Sequence, residues 1–186
     1  YCAAALILLH GAEWFCSRGT ARSSGTKLLS VSGDCERPGV YEYPFGVSVE
    51  QVLEDAGARN TIAAQVGGPS GVCLGQDEFT RRIGFEDIET GGAFMVFDDS
   101  RDMFEVARHF SHFFAHESCG FCTPCRVGTS LLRNLMDKIR DGKGSQHDLL
   151  TIEELARLLA GASHCGLGES AGRPLVGTLQ RFRPAY

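Results

Sequence analysis

The apolar positions of this chain change their period as the sequence proceeds. Residues 2–15 are apolar at helical spacing, and the run SRGTARSSGT that follows, rich in Gly, Ser and Arg, marks a boundary. Residues 26–32 (TKLLSVS) are β-prone, a turn is expected at 36–39 (ERPG), and residues 40–43 make a second short strand, so this stretch predicts a hairpin. Ser48, with Gln51 three residues on, carries a capping-box signature. Val49, Val52 and Leu53 form the apolar face of the helix it opens, which Gly57 stops. Residues 62–66 and 93–97 read as further strands, separated by a stretch that begins with the turn GGPSG. Two strands, a helix and two more strands predict a small α+β domain of β-grasp kind.

From Asp102 onward the pattern becomes helical. Met103, Val106, Phe110, Phe113 and Phe114 recur at steps of three and four, and this aromatic stripe is expected to face a core. A second helix near Cys125 carries Val127, Leu131, Leu132, Leu135 and Ile139 and ends in the turn DGKG. A third, opened by Thr151 with Glu154 as a capping box, carries Ile152, Leu155, Leu158 and Leu159. A last helix over residues 174–182 completes a four-helix bundle. The fold class expected is thus α+β: a small β-grasp-like domain, then an all-α four-helix bundle.

Composition narrows the function. With 186 residues, 43% of them hydrophobic and 22% charged, the chain can bury one large core or two small ones. A net charge of −5 and the lack of a Lys/Arg-rich stripe argue against nucleic acid as a partner. The apolar stretch at 2–9 is far short of the roughly 20 residues that cross a bilayer, so no membrane insertion is expected. The chain opens on Tyr1 rather than Met and runs at once into a helical pattern, which predicts a true start upstream.

The chemistry is concentrated in cysteine. Of eight cysteines, Cys119, Cys122 and Cys125 stand at every third position in ESCGFCTPCRVGT, and Cys165 follows far downstream in SHCGLGES. Three evenly spaced thiols are an odd set for disulfides, whereas a metal centre collects three near ligands and a distant one naturally. Gly120 and Pro124 supply the freedom and stiffness that such a tight loop needs. A structural zinc site usually draws two CxxC pairs, and the sequence shows no second pair. A CxxCxxC loop with a remote fourth cysteine suits a cuboidal 4Fe-4S cluster. The reading is therefore one 4Fe-4S cluster on Cys119, Cys122, Cys125 and Cys165, with a four-cysteine zinc module, a redox CxxC or inert thiols as the alternatives. Cys2, Cys16, Cys35 and Cys73 have no ligand spacing and read as ordinary thiols. Thiolate ligands suit a reducing compartment, so the chain is expected in the cytoplasm, peripheral to a membrane at most through a larger complex. Backbone N–H groups at Gly120, Phe121 and around Gly166 are candidates to hydrogen-bond the sulfurs. His116, Glu117 and His164 read as solvated loop positions, His164 being the substitute ligand if Cys165 were not one. Arg126 either offsets charge or caps a carbonyl.

At ESCGFCTPCRVGT, SHCGLG and the tail LQRFRPAY, the sequence resembles the NADH-binding flavoprotein subunit of respiratory complex I and its relatives, which include the diaphorase subunit of NAD-reducing hydrogenases. The phrases LLSVSGDCERPGVYEYPFGVSVEQVLEDAGA, VGGPSGVCL and HFFAHESCGFCTPCR look closer to the hydrogenase branch. The resemblance implies a remnant of an upstream flavin domain at residues 1–24, a β-grasp-like domain at 25–100, and an iron-sulfur helical domain at 101–186. It implies the same four cysteine ligands and no catalytic residue in the chain. It places FMN and NAD in the missing upstream domain, since GGPSG is no GxGxxG turn between strand and helix. The chain would then relay electrons, and be inactive with NADH when isolated. A flavin must stand between a two-electron hydride and a one-electron cluster. The implied partners are other iron-sulfur subunits of a complex I-like or hydrogenase assembly. A β-grasp binding or interaction module remains as a non-enzymatic alternative.

Overall fold

The computed structural model describes residues 2–186, and the upstream start expected from Tyr1 lies outside the described residues. The predicted N-terminal helix is two, α1 (Cys2–His10) and α2 (Ala12–Cys16), because Gly11 turns the chain between them at φ 86°. No residue of α1 is buried, and Leu8 and Leu9 are exposed.

The hairpin forms as predicted. Strands β1 (Thr26–Gly33) and β2 (Gly39–Pro44) pair antiparallel from Thr26 opposite Pro44 to Val31 opposite Gly39. The period-two alternation turns Leu29 and Val31 inward and leaves Leu28 exposed. Helix α3 (Val49–Asp55) buries Val49, Val52 and Leu53, and Ser48 Oγ accepts the Gln51 N–H at its start. The reciprocal half of the capping box is not made, and the Gln51 side chain instead reaches forward along the helix, its Nε2 donating to Asp55 Oδ1 at 3.2 Å. Strand β3 (Thr61–Val66) is followed by a 3-10 turn at Gly68–Ser70 and by β4 (Val72–Gly75), a strand too short for its alternation to show in the sequence. Strand β5 (Ala93–Asp98) runs parallel to β1 and antiparallel to β3, giving one mixed sheet in the order β2-β1-β5-β3-β4.

The rest of the chain is helical: α4 (Met103–Glu117), α5 (Thr123–Lys138), α6 (Gln146–Ala162), α7 (Gly166–Ser170) and α8 (Arg173–Arg181). The short α7 has no counterpart among the expected helices. Phe104, Ala107, Phe114, Leu132, Met136, Ile152, Leu159, Ala171 and Leu175 make the core among these helices. Tyr186 meets Phe104 edge-on at 5.0 Å and its hydroxyl lies 2.6 Å from Thr178 Oγ1.

Two predicted faces are rotated. α4 buries Met103, Phe104, Ala107, Ser111 and Phe114, while Phe113 is exposed and Val106 and Phe110 are half-buried. α5 buries Cys125, Gly128, Thr129, Leu132 and Met136, while Val127 and Leu131 are exposed. The packed stripes run through small residues, which a search for large apolar side chains passes over. Their hydroxyls stay inside their own helices: Ser111 Oγ donates to the Arg108 carbonyl at 2.6 Å and Thr129 Oγ1 to the Cys125 carbonyl at 2.7 Å.

The start of α6 is also corrected. Ser145 caps the helix, six residues before the expected Thr151. Ser145 Oγ accepts the Asp148 N–H, and Asp148 Oδ2 accepts the Ser145 N–H at 2.8 Å. Thr151 lies inside the helix, where its hydroxyl donates to the His147 carbonyl. Lys138 Nζ lies 2.8 Å from both Asp148 oxygens, and holds that carboxyl below the usual carboxylate range with help from Ser145.

By contact density the chain divides into two compact units, one made of the residues up to Gly68 with Leu74–Asp98, the other of Pro69–Cys73 with Asp99–Tyr186. No helix among the described residues is long and apolar enough to cross a membrane.

Candidate functional site, a four-cysteine cavity

Ser118 leaves the helical conformation at the end of α4, and the next residues form a tight loop that reaches α5. Gly120 takes φ 75° in that loop, a left-handed backbone that a side chain would strain. Cys122 is extended and caps the N-terminus of α5, Pro124 sits in the first turn where its missing N–H costs nothing, and Cys125 follows in the same turn. After α6 the chain turns at Ser163, and Cys165, again extended, is the N-cap of α7.

These turns bring all four predicted thiols to one place. Cys119, Cys122, Cys125 and Cys165 line a single cavity of about 110 Å³, together with Glu117, Ser118, Phe121 and Leu167. Cys122 and Cys125 are buried, Cys119 and Cys165 exposed, and all four are free thiols. Cys2, Cys16, Cys35 and Cys73 do not line it.

The surroundings of Cys122 favour its thiolate. Backbone N–H groups of His164, then of Cys125, face the Cys122 thiol and pull its pKa below that of an ordinary thiol. Ser118 Oγ lies 3.3 Å from Cys125 Sγ, and its oxygen also accepts the Gly120 N–H at 3.3 Å. Of the expected N–H donors, Gly120 spends its N–H on Ser118, while His164, two residues before Gly166, supplies one to Cys122. Of the two roles read for Arg126, the carbonyl cap is found, with Nη1 donating to the Gly120 carbonyl at 2.6 Å. His116 Nδ1 pairs with Glu117 Oε1 at 3.0 Å in solvent. The His164 ring turns to Phe121, centroids 5.9 Å apart.

Sequence reasoning passed over Ser118, Ser163 and Gly168. A methyl group on Gly168 would stand 2.5 Å from Ser163 Oγ and 3.0 Å from Cys125 Cβ, so α7 packs this closely behind Cys125 only with a glycine there. Ser163 Oγ is buried without a hydrogen-bond partner. The signal available was position, since both serines flank the cysteine phrases ESC and SHC.

The cavity exceeds what one ion needs, having room for three or four waters at about 30 Å³ each. Among the described residues no three His, Cys, Asp or Glu side chains converge closely enough to share a single metal ion. Four free thiols lining one cavity fit a polynuclear centre with one ligand at each corner.

A helical unit that gathers four cysteines around such a cavity, in a chain that also carries a mixed sheet, defines the class: a mixed α and β protein with a cysteine-lined centre. Residues 105–186 match the family model of the NADH-ubiquinone oxidoreductase-F iron-sulfur binding region. It is 40% identical over 187 residues to the NAD-reducing hydrogenase HoxS subunit alpha of Cupriavidus necator, a match covering 100% of this chain and 31% of that one. It is 32% identical over 197 residues to a subunit of the NADH-quinone oxidoreductase of Escherichia coli, covering 100% of this chain and 44% of the relative. A crystal structure of an NAD+-reducing NiFe hydrogenase in the H2-reduced state superposes with a TM-score of 0.94 at 43% identity, over 98% of this chain and 33% of that one. The chain therefore spans well under half the length of these relatives. The family resemblance read from the cysteine phrases holds.

Proposed function

We propose that Cys119, Cys122, Cys125 and Cys165 hold one 4Fe-4S cluster, and that the chain is the electron-relay portion of an NADH-oxidising or NAD-reducing oxidoreductase. The observation that carries this reading is the single cavity lined by all four thiols. Three close cysteines with one remote favour a cluster over a mononuclear zinc ion, which usually draws its cysteines as two CxxC pairs.

When bound, the cluster supplies one-electron storage. The chain's own residues hold and tune it. The four thiolates bind, the His164 and Cys125 N–H groups stabilise the charge on Cys122, and Arg126 fixes the loop through the Gly120 carbonyl. Buried Cys122 and Cys125 anchor the inner side, while exposed Cys119 and Cys165 leave a short path for an electron to a partner.

The sheet unit is read as β-grasp-like over residues 25–100, supported by its hairpin, its α3 crossover and the central parallel pair β1 and β5. The helical part, 101–186, is read as a four-helix bundle, since α4 packs on α5 and α8 while α6 packs on the same two. FMN and NAD sites belong to the portion of the whole protein outside this chain, with residues 1–24 as the join, and the partners are other iron-sulfur subunits of a complex I-like or hydrogenase assembly. A reducing cytoplasmic setting follows from free thiolate ligands.

The test uses the intact protein with and without FMN. NADH should bleach the iron-sulfur absorbance only when FMN is bound, and dithionite should bleach it in both states. Bleaching by NADH after complete removal of flavin would contradict the relay.

A further inference from the structure

We infer that Phe121 and His164 form a latch at the mouth of the four-cysteine cavity, a ring contact that holds Cys165 to its corner of the centre and slows oxidative loss of the iron there; the inference rests on the cluster reading above. Cys165 is the thiol most in need of a tie. It is exposed, and it reaches the cavity on a segment of its own, as the N-cap of the five-residue helix α7. Cys119, Cys122 and Cys125 instead follow one another through a single loop and the first turn of α5, so each is tethered by its neighbours.

Phe121 is placed to supply the tie. It lines the cavity with the four thiols and is nonetheless 79% exposed, so its ring sits at the rim between cavity and solvent. That ring meets the ring of His164, the residue immediately before Cys165, at a centroid distance of 5.9 Å and an interplanar angle of 59°. The separation lies within the range in which tilted ring pairs attract. The contact therefore joins the loop of three cysteines to the segment of the fourth, on the side where Cys119 and Cys165 are exposed. A second tie joins the same two segments, because the His164 backbone N–H faces the Cys122 thiol. Removing either ring leaves that backbone tie in place, so Cys165 can still reach the centre but is held less firmly. The step the latch slows is a one-electron oxidation with loss of a corner iron: the Fe–S bonds of that corner break, Fe2+ leaves, the electron passes to the oxidant, and a three-iron form remains.

The experiment treats the intact, anaerobically purified protein with ferricyanide and follows iron release together with the electron paramagnetic resonance signal of the three-iron form, each rate being expressed per loaded cluster. Phe121→Ala should form the three-iron species about two- to tenfold faster than wild type, the factor that one such ring pair contributes to keeping the latch closed. Phe121→Tyr, which keeps the ring, should stay near wild type. His164→Ala should speed the loss by a like factor, and the double variant no further, since the two rings act as one pair. If Phe121→Ala does not load, Phe121→Leu takes its place, being apolar and of similar bulk without the ring. Loaded ring-less variants that lose iron at the wild-type rate, or Ala substitutions at 121 and 164 whose effects multiply, would overturn the latch and leave the cluster standing. Wild-type protein without iron and sulfide would overturn the cluster reading and this inference with it.

Discussion

Gly128 and Leu159 link the two helices on which the thiols depend, and their coupling can be worked from the geometry. A methyl on Gly128 of α5 would lie 2.9 Å from Leu159 Cδ2 and 3.1 Å from its Cγ, and Leu159 of α6 is completely buried. Gly128→Ala gains about 1 kcal/mol of helix propensity. It also overpacks the core, at about 1–3 kcal/mol, toward the lower end because the obstruction is the tip of a side chain. The net is a small loss, about 1 kcal/mol or less. Leu159→Ala empties a buried site and should cost about 2–5 kcal/mol. In the Leu159→Ala background the obstruction is gone and the new methyl partly fills the space, so Gly128→Ala should become stabilising by about 1 kcal/mol. The double-mutant cycle should therefore show a coupling of about 1–2 kcal/mol, read as melting shifts of about 2–4 °C per kcal/mol. The assay is thermal unfolding by circular dichroism under anaerobic conditions. Changes that add within about 0.5 kcal/mol would refute the close approach of α5 and α6.

Cys165→Ala should lose the cluster or leave a degraded three-iron form, while Cys73→Ala should leave iron content unchanged, as measured by iron and sulfide analysis. Ser145→Ala should cost about 1 kcal/mol through loss of the α6 cap, and Thr151→Ala should be close to neutral; urea unfolding midpoints in the reverse order would refute the helix start. Asp148 has a folded-state pKa below its unfolded value, so its stabilising contribution is present above the unfolded carboxylate pKa of about 3.9 and is lost as pH falls through the folded value. Asp148→Asn should flatten that acid limb of a stability-against-pH curve, and an unchanged limb would sink the assignment.

How far the sequence carried depended on the kind of signal. Elements with strong local signatures were legible: the β1–β2 hairpin from its turn, α3 from Ser48, and the thiol set from spacing alone, which the fold gathers around one cavity. Helix faces were less legible, since burial of Gly128, Thr129 and Ser111 depends on how closely neighbouring helices approach, a tertiary fact. The start of α6 shows two competing capping signatures six residues apart, and Ser145 won because Asp148 gains Lys138 as well as the cap. Gly168 packs close to both Ser163 and Cys125, and its nearness to Cys125 is a fold-back contact that no local pattern encodes.

Metal analysis tests most directly whether the four thiols hold one cluster. Iron and acid-labile sulfide, measured on the anaerobically purified chain, should each come to about four per chain, as the cluster formula requires, with a brown colour that dithionite bleaches. Stoichiometric zinc without sulfide, in a colourless protein, would contradict it.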